Sequence, residues 1–454
     1  MNETNTFTAR ASLAALGFKF QQLRLWHIVE EHVHVRQKVR QHTPLEKLLY
    51  CFINILAGGH GLIEINTRVR PDVAVQRAFG RSRCAEQSTI SDTLNACTTA
   101  NVQELRTAGE VILRQHGRSY RHDYTAHWQL FDVDMTGLPA GRLSEGATKG
   151  YFANRKNCRG RQLGRVVASQ YDEVIVDRLY EGKRQLDASL QELITQLESA
   201  LELTETQRKN SILRIDGGGG SDEDMNAMLT RGYHVLVKTH NWQRAIKLSK
   251  TVTAWYPDPK VPDREVGWVG QPHAYVQATR QLAVRKRKSD GTWRYQVLVF
   301  TLTDAQLFEL AHGEASVAAT AHHDVMLAAV YAYDGRGGGA ETQNKNDKQG
   351  LGLSNRNKQK FVAQEMLVLL AQLAHNLMIW TRNELSHVDQ RFEKFGILRT
   401  VRDALQIPGY VQLNATGQIR QITLNESHPL ALGVQVGFAT WCGRDDLSLN
   451  LGKI

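Results

Sequence analysis

Three carboxylates stand at places where the residue pattern changes. Asp134 lies in Leu130-Phe131-Asp132-Val133-Asp134-Met135, a period-two stretch that reads as a strand, with a turn signal after it at Gly137-Leu138-Pro139. Asp216 closes a second predicted strand, 211–215, and is followed by Gly217–Gly220, where the absence of side chains lets a backbone or ligand approach closely. Glu341 follows the glycine-rich stretch Gly335–Gly339 and precedes a long apolar helix. The three are 82 and 125 residues apart. Carboxylate oxygens are hard ligands suited to Mg²⁺. Two such ions, one on the attacking and one on the leaving oxygen, are an efficient way to break a phosphodiester bond. Asp132 shares a strand face with Asp134 and could take its place, while Asp222 or Asp224 could cap the next helix.

The elements that must position these groups follow from periodicity. Strands are expected at 129–135, 161–169, 173–180, 211–215 and 233–238, with helices near 184–203 and 222–230, giving the order β-β-β-α-β-α-β. Residues 240–325 break that alternation with short runs and tryptophans at 242, 255, 268 and 293, and 281–299 reads as a hairpin turning at Ser289-Asp290-Gly291. A helix is expected over about 355–384 on the stripe Val362, Met366, Leu369, Leu373, Leu377, Trp380, with His375 as a packing residue. Before the core, Thr43-Pro44-Leu45-Glu46 signals a helix start, and Ser88 could cap a short helix exposing Thr89, Ser91 and Asn95 to a DNA groove or to packing. After it, 410–422 reads as a hairpin turning at Ala415-Thr416-Gly417.

The expected class is therefore α/β. Its domains are a helical N-terminal DNA-binding domain at 1–120, a first core segment at 121–239, a β-rich insertion at 240–325, a second core segment with Glu341 and the long helix at 326–390, and a tail at 391–454 for dimerisation or DNA contact.

Composition bounds the partners. Of the 454 residues 42% are hydrophobic and 22% charged, and the net charge of +10 suits a polyanion. No run approaches the roughly 18 consecutive apolar residues of a membrane span, and the start of the chain lacks a secretory pattern. The five cysteines are dispersed without a CxxC pair, which points to a reducing compartment and away from zinc. Lys149, Arg155, Lys156, Arg159, Arg161 and Arg165 fall in a stretch without Asp or Glu, interleaved with Tyr151 and Phe152, as a phosphate-contacting path would. Arg285-Lys286-Arg287-Lys288 form a second basic patch, or a charged tip that keeps a sheet edge soluble.

Three blocks then occur in order: FDVDMTGLP followed by KGYFANRKNCRGRQL, RIDGGGGSDEDMNAMLTRGYHVLVKTHNW, and YDGRGGGAETQNKNDKQGL followed by FVAQEMLVLLAQLAHNLMIWTR. Over about residues 125–385 the chain resembles the bacterial insertion-sequence DDE transposases with an RNase-H-like core and a β-rich insertion. Tyr333, Arg336, Glu341 and Lys348 look like the Tyr-Arg-Glu-Lys signature of that group, with four residues between Arg336 and Glu341 where three is usual. The resemblance implies cut-and-paste transposition by metal-dependent cleavage and strand transfer. Asp134, Asp216 and Glu341 would hold two Mg²⁺, with Mn²⁺ able to substitute, and no organic cofactor is expected. Tyr333, Arg336 and Lys348 would meet DNA phosphates, and excision would pass through a DNA hairpin. A tryptophan of the insertion would stack on a flipped base. The expected partners are double-stranded DNA and a second copy of the chain, with no membrane, in the cytoplasm at the nucleoid. The rivals are a transposase-derived DNA-binding regulator without catalysis, and a nuclease that cuts without strand transfer.

Overall fold

The structure, a computed structural model, describes residues 4–152, 157–312, 322–337, 340–443 and 447–454. The strands are β1 (Thr4–Thr8), β2 (Gln129–Pro139), β3 (Thr148–Lys149), β4 (Arg159–Ala168), β5 (Glu173–Glu181), β6 (Ser211–Ile215), β7 (His234–Lys238), β8 (Tyr256–Pro257), β9 (Arg264–Trp268), β10 (Arg280–Arg287), β11 (Trp293–Phe300), β12 (Gly409–Leu413), β13 (Ile419–Asn425) and β14 (Ser448–Gly452). Most of them form one mixed ten-stranded sheet. At its centre β5-β4-β2 run antiparallel, and β6 and β7 then add parallel to β2, giving the order β5-β4-β2-β6-β7. Parallel additions need crossover connections, and the helices Leu190–Leu201 and Asp222–Thr230 supply them.

The strands of 240–325 extend this sheet rather than forming a separate one. β11 pairs antiparallel with β7, and β10, β9 and β8 follow outward. The segment also holds the helices Trp242–Ser249 and Asp304–His312.

Two expectations are corrected. β2 does not turn at Gly137-Leu138-Pro139 but continues through Pro139, opposite Gly160 of β4. The glycine serves packing, since a Cβ at Gly137 would meet the Phe152 ring at 2.4 Å. The first 120 residues are not all helical, because β1 pairs antiparallel with β12 and joins β13 and β14 in a second, four-stranded sheet. The helix Pro44–Leu56 does begin with Thr43 in a capping box, as its sequence predicts. The short helix Gln87–Ala96 begins one residue before Ser88 and has no side-chain cap.

The helix Phe361–Ser386 is the shared wall of the molecule. One side packs on β5, another on the N-terminal helices, and its apolar residues join one core with residues from 11–112 and from the tail. Among the described residues it alone is long and apolar enough to cross a membrane, and 83% of its apolar window is buried inside the protein.

On the sheet face carrying Asp134, two apolar regions leave a polar seam between them. Leu138, Leu163 and Leu179 pack with the long helix. Leu130, Ile212, Leu236, Leu298 and Phe300 pack under the helix His322–Asp334. In the seam lie Asp132, Asp134, Arg165, Asp177 and Arg214, since directly paired residues on neighbouring strands share a face.

Candidate active site

Asp134 sits on β2, Asp216 immediately follows β6, and Glu341 is the second residue of the helix Ala340–Gly350, which lies over β2 and β4. Their meeting point is Arg336, whose side chain is 7% exposed. Its Nη1 donates to Asp134 Oδ1 at 3.1 Å and its Nη2 to Glu341 Oε1 at 2.6 Å, with Asp216 Oδ2 3.7 Å from Nη2. One planar cation therefore bridges three carboxylates from three elements. Among the described residues no three His, Cys, Asp or Glu side chains are placed to hold a metal ion as they stand, and here the guanidinium contacts all three carboxylates.

The surroundings push the two aspartates apart. Burial raises the Asp134 carboxyl above its ordinary value, and Asp216 and Glu341 add to the rise against the pull of Arg336. Burial also works to raise Asp216, but Arg336, Lys238, the Gly217 N–H and the Tyr333 hydroxyl outweigh it and hold that carboxyl below its usual range. The Tyr333 hydroxyl donates to Asp216 Oδ1 at 2.9 Å, and Lys238 Nζ stands 3.8 Å from the same oxygen. Asn344 Nδ2 donates to Asp134 Oδ2 at 2.9 Å, and Lys348 donates to Thr136 Oγ1. The side chains at 341, 344 and 348 thus share one helix face, as their spacing predicts.

Asp132 has a different fate. It is fully buried, with Arg214 donating to both of its oxygens and Ser169 Oγ donating to Oδ2 at 2.7 Å. Its oxygens are committed to a structural pair.

The basic stretch splits in the same way. Lys149 and Arg159 face each other across β3 and β4 with exposed side chains, beside Tyr151. Arg161 is 1% exposed and donates to the carbonyl oxygens of Glu145, Lys358 and Gln359, so it fastens the chain leading into the long helix. Arg165 is also fully buried in ion pairs. Both are thereby removed from the expected phosphate path, because their donors are used inside the protein. Arg155 and Lys156 lie outside the described residues.

Of the four tryptophans, Trp255 and Trp293 hold the Arg285 guanidinium between their rings, at 4.2 and 4.4 Å from the centroids, and Trp268 packs on Phe300. Trp242 is 67% exposed. It lines a cleft of about 420 Å³ with Asp216, Gly217, Lys238, Lys288 and Trp293. Gly220 lets the chain turn here, since a Cβ at that position would lie 2.3 Å from the Lys238 carbonyl oxygen.

A second cleft, of about 660 Å³, lies in the N-terminal region, where Lys38, Arg40, Arg70 and Arg83 face Thr89 and Asp92 of the helix Gln87–Ala96. None of these four cations has an ion-pair partner among the described residues. Sequence reasoning did not single out these cations, which are scattered over 46 positions and converge only in the fold.

No family profile matches the chain, and no curated protein matches it. Among solved structures, the cryo-EM structure of the piggyBac transposase synaptic complex with hairpin DNA matches with a TM-score of 0.45 at 13% identity. The match covers 89% of this chain and 82% of that one.

Proposed function

We propose that this chain is a DDE transposase, which cleaves the ends of a mobile DNA element and joins them to target DNA. The observation that carries this reading is the convergence on one buried guanidinium of Asp134 from the middle of β2, Asp216 from the end of the adjacent β6 and Glu341 from the helix over them. The central order β5-β4-β2-β6-β7, with three antiparallel strands and two parallel additions, supports an RNase-H-like core.

The donor set fits magnesium, because three carboxylates offer only hard oxygens, and Arg336 is the one cation that touches all three. Asp134, Asp216 and Glu341 would hold two Mg²⁺, or Mn²⁺ in their place, and the ions would supply Lewis-acid charge to the attacking and leaving oxygens. Arg336 and Tyr333 point into the same space, and on DNA binding both exchange carboxylate partners for phosphate oxygens, which accept the same hydrogen bonds. Lys348, on the helix face that carries Glu341, approaches the same strand. Lys149 and Arg159 extend the phosphate path along the sheet edge, and Trp242 offers a ring beside Asp216 on which an extruded base would stack. Excision through a DNA hairpin fits that placement. The cleft of Lys38, Arg40, Arg70 and Arg83 receives the element's end sequences, and two ends are held by two copies of the chain at the nucleoid.

The test is cleavage of linear DNA carrying the ends of the element that encodes the chain, with Mg²⁺ or with EDTA. Wild type cuts only with the metal, Glu341→Gln and Asp216→Asn bind without cutting, and an unlabelled target captures the cut end. Binding without cutting under any divalent ion makes the chain a DNA-binding regulator. Cutting without capture makes it a nuclease.

A further inference from the structure

The helix that carries Glu341 has the sequence AETQNKNDKQG and no large apolar side chain with which to dock. Burial of apolar surface, which seats most helices, is unavailable to it. Yet Gln343, Asn344 and Asp347 are all buried. Its C-terminal end packs closely on the Leu398 backbone through Gly350, and beneath its buried polar side chains runs a chain of charges. Arg165 of β4 donates through Nε and Nη2 to both oxygens of Asp177 on β5, at 2.7 and 2.6 Å, and through Nη1 to Asp347 Oδ2. His375 of the long helix lies 2.8 Å from Asp347 Oδ1 through Nδ1, and 2.8 Å from the Asp172 carbonyl oxygen through Nε2. The side chains of Arg165, Asp177, Asp347 and His375 are at most 1% exposed.

Hydrogen-bond accounting sets the charges. The Asp172 carbonyl only accepts, so Nε2 carries a proton. The Asp347 carboxylate only accepts, so Nδ1 carries one as well. With both ring nitrogens donating, two cations stand against two carboxyls, and burial raises that of Asp177 above its ordinary value against the pull of Arg165. Burial works to raise the Asp347 carboxyl, but His375 and Arg165 outweigh it and hold it below its ordinary value. At the tip of the β4–β5 hairpin, Asp172 adds a second tie by accepting from Gln343 Nε2 at 2.9 Å.

We propose that Arg165, Asp177, Asp347 and His375 are positioning residues, a buried charge-balanced latch that docks the 340–350 helix on the sheet and so sets Glu341 opposite Asp134. The role rests on the reading of Glu341 as a catalytic residue; the docking itself does not.

Hydrogen–deuterium exchange on the full chain separates the two. His375→Ala leaves one net negative charge buried, and exchange of 340–350 rises at least tenfold while β4, β5 and the long helix keep their protection. Asp347→Asn keeps 340–350 protected, because its amide donates to a neutral His375 Nδ1 while the Arg165–Asp177 pair stays balanced. In the DNA assay His375→Ala lowers the maximal cleavage rate by on the order of 10²-fold, the loss expected of an ångström-scale misplacement. Its DNA affinity falls by no more than the one phosphate contact of Lys348, and Asp347→Asn retains cleavage. Where His375→Ala loosens the whole chain, the double variant Asp347→Asn/His375→Ala, which buries no net charge, is read instead and must loosen 340–350 selectively. Unchanged protection of 340–350 in that variant, or loosening by Asp347→Asn equal to that by His375→Ala, overturns the latch. A wild-type chain that never cuts DNA overturns the transposase reading and leaves the exchange result standing.

Discussion

Two aspartates two residues apart on one strand show how far residue type and spacing reach. Both Asp132 and Asp134 face the polar seam, and the alternation of β2 makes them equal candidates. The neighbouring strand separates them: Arg214 of β6 lies directly opposite Asp132 and takes both its oxygens, while Asp134 is met by Arg336. Asp132→Asn leaves the buried Arg214 without its charge partner and is expected to cost about 3–5 kcal/mol of folding stability. Asp134→Asn removes a carboxylate that Asp216 and Glu341 already repel, so it leaves stability near wild type and abolishes cleavage. Urea denaturation beside the cleavage assay checks both, and a stable, inactive Asp132→Asn would exchange their roles. A comparable contrast holds for aromatic residues. Trp242, being exposed, tolerates replacement by Ala within about 0.5 kcal/mol of stability. The same change weakens binding of DNA with an unpaired base at the cut site by about 1–3 kcal/mol, the range of a base-stacking contact. Equal affinity of the two proteins for such DNA would remove Trp242 from the path. Neither contrast is visible in the sequence, where four tryptophans and two aspartates look alike until strand partners are known.

At the scale of elements, each central strand lies where the sequence reads as a strand, on a period-two run at 130–135, and the 3–4 stripe located the long helix. The seven-residue step from Glu341 to Lys348 is close to two helical turns, and the helix Ala340–Gly350 puts both on one face. Harder to read were contacts in which a long side chain serves a distant backbone. Arg161 belongs by sequence to a basic run, yet it is spent on the carbonyls of Lys358 and Gln359, and the helix begins only at Phe361 rather than near 355. The N-terminal cleft was illegible for the same reason, since its four cations come from separate segments. Those cations carry a testable consequence. Arg40→Ala and Arg83→Ala should each weaken DNA binding across all sequences, and each should lower the slope of log affinity against log salt by roughly 1, one phosphate contact apiece. Arg161→Ala should leave that slope alone and lower stability instead. A titration of DNA affinity from low to moderate salt reads both effects, and an unchanged slope in the two cleft variants would place the DNA elsewhere.

At the scale of the whole molecule, the N-terminal segment, the long helix and the tail are bound into one another. Thr8 pairs with Gly409 and Thr4 with Leu413, so the first strand is held by the tail. No local pattern announces a pairing over that separation, because the hydrophobic period of a strand says which face is buried and not which strand lies beside it. Residues of 11–112, the long helix and the tail share one apolar core, with Phe20, Phe52, Leu370, Phe392 and Phe438 each at most 1% exposed. Removing either end therefore strips a face from the core of the other. A chain ending at residue 390 exposes the N-terminal helices that the tail covers, and a chain starting at 121 exposes one side of the long helix. Both should unfold at least 10 °C below the full chain, since several kilocalories of burial are lost and each costs a few degrees in a protein of this size. DNA-binding loss in such a truncation consequently reports unfolding as well as a missing contact. Point substitutions in the cleft are the cleaner probe of end recognition. Calorimetry on the two truncations decides the matter: a 121–454 chain that melts with the full-length protein, in one sharp transition, would restore the N-terminal segment as an independent domain.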